Sequence, residues 1–142
     1  MTTTLTAAIV MAAAAWATPT RDATVAGLAT FYAQGVMESV AVNRGLIAET
    51  DDYGDWLRRK GLTGSVALNR AGDLGRTVWL RGPDGLEGPF MVIDCARRDH
   101  YQDRIAQGRV VEVDWDTARR WGMRGPVPVQ VVFKFTAPDM AR

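Results

Sequence analysis

Apolar residues recur along this chain in short runs, mostly at every second position, and glycine, proline or asparagine bounds each run. The segments GLATFYA (27–33), GSVALN (64–69), RTVWLRG (76–82), GPFMVID (88–94), GRVVEVD (108–114) and VPVQVVFKF (127–135) are rich in β-branched and aromatic residues, and they predict six strands. Between them NRAGDLG, GPDGLEG and RGPVP carry turn chemistry. Two segments break the alternation. DDYGDWLRRKG (51–61) predicts a short helix or an ordered loop. DWDTARRWGM (114–123) predicts a helix that Asp114 or Asp116 caps and Gly122 ends. Short strands with little helix predict an all-β fold, a small six-stranded barrel closed so that no edge is left exposed. Its period-two pattern puts Phe90, Val92 and Asp94 on one face of their strand, and Glu112 and Asp114 on one face of theirs.

The N-terminus has a different pattern. LTAAIVMAAAAWA (5–17) is continuously apolar, too short for a comfortable membrane span, and ends in Ala15, Trp16 and Ala17 before Thr18 and Pro19, a small-x-small arrangement. Residues 1–17 read as an export signal, which implies a secreted or cell-envelope location and membrane contact only through this segment. No Lys or Arg precedes the run. That absence keeps open an apolar N-terminal helix packed on a cytoplasmic protein. Residues 18–26 then form a linker, 27–136 the barrel domain and 137–142 a C-terminal tail.

Composition narrows the chemistry. The chain has 142 residues, 47% of them hydrophobic, enough for one domain with a core. Its 17 basic residues are scattered among 16 acidic ones, a net charge of +1 that gives no clustered footprint for nucleic acid. A single cysteine, Cys95, excludes an internal disulfide and a multi-cysteine metal site, and His100 is the only histidine, so neither a metal nor a cofactor is expected.

Asp94 and Asp114 each end an apolar run. A carboxylate beside buried β-branched residues is costly to desolvate, so it is paired, placed at a strand end, or kept as a proton donor with a raised pKa. These alternatives are open at the level of the residues alone.

The order ATFY, VALNRAGDLGRTVWLRG, MVIDCA, GRVVEVDWDTARRWGM and VPVQVVF, from about Gly27 to Phe135, resembles the double-psi β-barrel domains of bacterial cell-wall proteins. It is most similar to the 3D (three-aspartate) domain of lytic transglycosylase A, and it also resembles rare lipoprotein A and the expansins. The resemblance implies a six-stranded double-psi β-barrel with one or two short helices, and peptidoglycan or another polysaccharide as the partner. It implies Asp94 as catalytic acid and Asp114 as a supporting carboxylate. One acid would protonate the glycosidic oxygen and then, as carboxylate, take a proton from the sugar's own hydroxyl to close an anhydro ring. The chain departs from the family at three positions, with Asn69 in place of the first aspartate and Cys95 and Ala96 in place of threonine and glycine. Asn69 keeps hydrogen-bonding capacity without charge.

Tyr32, in FYAQGVME with Glu38, falls where the family's opening strand borders its groove, and with Asn69, Trp115 and Arg97 it is expected to contact substrate. Arg97, Arg98, Arg104 and Arg109 flank the acids and suit either an anionic glycan or a solvated loop face. Trp79, Trp115 and Trp121 serve as a sugar platform or, more often at such spacings, as core. Cys95 and His100 lack any nucleophile signature around them. The competing functions are a non-catalytic, expansin-like polysaccharide-binding module and a structural or protein-binding barrel.

Overall fold

The structure is a computed structural model that describes residues 23–133. The expectations for residues 1–17 and 137–142, and for most of the linker, therefore lie outside the described residues.

All six predicted segments form strands: β1 (Thr24–Phe31), β2 (Gly64–Leu68), β3 (Thr77–Gly82), β4 (Gly85–Cys95), β5 (Arg109–Val113) and β6 (Val127–Phe133). They close into one barrel in the order β1-β5-β2-β4-β3-β6, so every strand is paired on both sides. The pairs β1/β5 and β2/β4 are parallel and the other four antiparallel. The first strand begins at Thr24, inside the segment read as a linker, because the backbone from Thr24 to Ala29 pairs with β6.

Four short α-helices accompany the barrel among the described residues, rather than one or two: α1 (Val36–Asn43), α2 (Tyr53–Lys60), α3 (Tyr101–Ala106) and α4 (Trp115–Arg120). α2 and α4 fall in the segments predicted for them, and α4 stops just before Gly122. α1 was hidden by its β-branched valines, which weaken helix propensity. Glu38 consequently lies on α1 and not on the opening strand, which ends at Phe31.

Two apolar layers explain why the strand sequences look as they do. Inside the barrel, Val66 and Leu68 of β2 meet Val78, Leu80, Phe90, Val92, Val113, Val131 and Phe133, and Trp121 closes the cluster. Outside, Met37 and Ala41 of α1 and Tyr53, Trp56 and Leu57 of α2 cover Ala67 and Ile93. β2 is thus buried on both faces, which is why GSVAL carries no charged residue. Burying each Val, Leu, Ile, Phe or Met side chain of these layers contributes about 1.5–3 kcal/mol.

Candidate functional site

An open cleft with a volume of about 800 Å³ lies where β2 and β4 end. Its walls include Asn69 and Arg70 after β2, Asp94 and Cys95 of β4, Arg97 and Arg98 beyond it, and Arg44 from the end of α1. Three segments distant in sequence meet here: the parallel β2/β4 pair brings both C-terminal strand ends to one rim, and the end of α1 adds Arg44.

A register shift turns Asp94 toward this rim. Val66 pairs with Val92, but the next residue of β2, Ala67, pairs with Asp94, and Ile93 is the extra residue. Such a bulge re-aims the side chains that follow it. Strict alternation would send Asp94 into the barrel with Phe90 and Val92. Instead it meets Tyr32 and Arg44, outside the barrel core.

Asp94 is held by two side chains. The Tyr32 hydroxyl donates to Oδ2 at 2.7 Å and the Arg44 guanidinium to Oδ1 at 2.9 Å. Arg44 is in place because α1 ends there: Gly45, at φ 73°, takes the left-handed conformation, and the backbone amides of Gly45 and Leu46 close on Val42 and Ala41. Burial pushes the Asp94 pKa up, but the hydrogen bonds from Arg44 and Tyr32, with one from the Cys95 backbone, outweigh it and hold the carboxyl below its ordinary range. The proton donor with a raised pKa is therefore not what the resting site contains. Burial, the bond to Asp94 and the nearby Glu112 charge together push the Tyr32 hydroxyl well above its ordinary value, so it stays a donor.

Asp114 is built differently. It is 3% exposed. Its Oδ1 accepts from the Thr117 backbone at 3.1 Å, capping α4, and its Oδ2 accepts from Tyr53 at 2.9 Å and from the Ser65 backbone at 3.1 Å. Gly64 makes room for it, since a Cβ there would stand 2.8 Å from Oδ2. Of the two capping candidates Asp114 is the one used. It binds β2, α2 and α4 together and is not among the cleft residues.

The other expected residues divide in the same way. Asn69 and Arg97 line the cleft, and the Asn69 amide donates to the Arg109 carbonyl at 2.8 Å, tying β2 to β5. Tyr32 reaches the site through Asp94. Trp115 packs against Phe31 with ring centroids 6.0 Å apart, and Trp121 belongs to the core, its indole N–H bonded to Glu87. Arg104 and Arg109 turn away to Glu112, at 2.8 and 3.4 Å. Glu112 pairs across the sheet with Ala67, as Asp94 does from the other side, so it and not Asp114 is the carboxylate flanking the same strand position as Asp94. Arg44 escaped the sequence reading, because NRG after a valine-rich segment signals a helix end without indicating what the arginine meets.

The site thus belongs to a closed, mixed six-stranded barrel with a charged cleft at the C-terminal end of its parallel β2/β4 pair. A scan against protein-family models gives no match for this chain, and no curated protein matches it.

Proposed function

We propose that this is an exported double-psi barrel that holds cell-wall glycan in the Asp94 cleft. The observation that carries the reading is the cleft itself, whose volume of about 800 Å³ falls within the range of roughly 300–1,000 Å³ common for small-ligand sites. Two parallel pairs within the closed barrel and the order of the sequence motifs support the family resemblance. Binding is favoured over cleavage because a general acid must carry its proton near the working pH, and Asp94 rests as an ion-paired carboxylate.

A second reading, cleavage as a lytic transglycosylase, draws support from Arg44, whose side chain is 39% exposed. A glycan that displaces Arg44 leaves Asp94 with its burial, which favours the protonated acid. Incubation with peptidoglycan, followed by sedimentation and mass analysis of the soluble fraction, separates these readings. Sedimented protein without soluble products is the expected result. Anhydro-muropeptides that disappear with Asp94→Asn would establish the second reading, and neither binding nor products would leave a structural or protein-binding barrel. Export is checked separately, by N-terminal sequencing of protein from the cell envelope, which should begin near Thr18; finding only full-length cytoplasmic protein would overturn it.

A further inference from the structure

Arg44, Arg70, Arg97 and Arg98 line the cleft with one carboxylate, Asp94, so the lining side chains sum to +3, and Asp99 beside Arg97 brings the local excess to +2. The whole chain carries only +1. This local excess is a product of folding, because the arginines come from three separate segments that only the barrel brings together.

We propose that the cleft takes an acidic glycan, a polysaccharide strand bearing carboxylate or phosphate groups, with the acid group gripped by Arg97 and Arg98 beside the Arg44–Asp94 pair. The inference rests on the glycan-binding reading above and names its substrate class. A guanidinium presents a planar fork of donors that matches either oxyanion in two parallel hydrogen bonds. Like charges gathered in a concave wall also focus the field on whatever enters. Arg44 is already engaged, bonded to Asp94 at 2.9 Å and in contact with the Cys95 thiol. Arg97 lies 3.4 Å from Asp99, with the two side chains 77% and 61% exposed, a contact that solvent screens and a ligand can replace. Tyr101 and Gln102, also in the lining, offer a ring face and an amide for the neutral part of a sugar.

Calorimetric titration of the full chain with three probes tests this: neutral chitohexaose, a peptide-free glycan strand carrying muramic-acid carboxylates, and a phosphodiester-linked wall teichoic acid. At least one acidic probe should bind about tenfold tighter than chitohexaose at low salt and lose that advantage at high salt. Whichever acidic probe wins identifies carboxylate or phosphate as the group recognised. The double variant Arg97→Gln/Arg98→Gln should bring acidic probes down to the neutral level, whereas Arg119→Gln/Arg124→Gln, which removes the same charge from exposed positions outside the cleft, should not. Equal affinity for acidic and neutral strands, or full affinity in the Arg97/Arg98 variant, would overturn the inference and leave glycan binding standing. A thymidine oligonucleotide of matched charge that binds as tightly as the acidic glycans would overturn it too, in favour of unselective polyanion binding. Failure of every glycan to bind would overturn both proposals.

Discussion

Asp94 and Asp114 each end a run of β-branched residues, and each accepts a tyrosine hydroxyl, from Tyr32 and Tyr53 respectively. Their remaining partners differ in kind. Asp114 takes two backbone amides, from residues whose positions are set by β2 and α4, so its bonds cannot be given up without opening the fold. Asp94 takes one long arginine side chain and, from the backbone, only the amide of its own chain neighbour Cys95, and its side chain is 20% exposed at a cleft. An acid held by the backbone of two separate elements is an anchor, whereas one held across the fold by a long, partly exposed side chain can exchange that partner for a ligand.

The largest effect expected from this contrast is on stability. Asp114→Ala should cost about 3 kcal/mol, since it removes a helix cap and leaves the buried Ser65 amide and Tyr53 hydroxyl without this acceptor. Asp114→Asn should cost about 2 kcal/mol, because one side of an amide is a donor that must face the donors now satisfied by a carboxylate oxygen. Asp94→Ala should cost less than about 1 kcal/mol, the usual range for a partly exposed ion pair. Urea denaturation of the three variants measures all of this, and a loss at Asp94 equal to that at Asp114 would erase the distinction.

An intermediate effect concerns protonation. The carboxyl resonance of Asp94, followed by NMR, should titrate below its ordinary value of 3.8. Arg44→Gln should move it upward, and Tyr32→Phe should do so by less, following the order of their contributions. A depressed folded value means that Asp94 contributes stability above its unfolded pKa and loses it as the pH falls through the folded value. Acid titration of the wild type should therefore show a stability loss beginning below about pH 4, and Arg44→Gln should show less of it. An unchanged Asp94 titration in Arg44→Gln would show that the ion pair does not set its charge.

The smallest effect expected is at Asp116, the other capping candidate in DWDTARR. It is exposed on the first turn of α4 while Asp114 holds the cap. Asp116→Ala should change stability by no more than about 0.5 kcal/mol in the same urea experiment. A loss as large as that of Asp114→Asn would mean that the two acids share the cap.

Six strands and two of the four described helices were legible in the sequence because their signals are local. Period-two alternation, turn residues between the runs, a capping aspartate and a terminal glycine each act within a few residues of where they stand. α1 and α3 were not legible, the first because its valines mimic a strand and the second because a six-residue helix without a capping side chain leaves little pattern. Asp94 and Asp114 could be singled out from their apolar neighbours, but their uses could not, since a local pattern does not say which distant groups arrive. A one-residue bulge opposite Ala67 decided that Asp94 points to Tyr32 and Arg44, and the parallel pairing of β2 with β4 decided that arginines from three segments share its cleft. The sequence by itself therefore determined the strands, the closure they require and the acids worth attention. Tertiary structure alone decided which acid is locked into backbone and which faces a cleft, because hydrogen bonds and charge neighbours act over a few ångströms in space, whatever the separation along the chain.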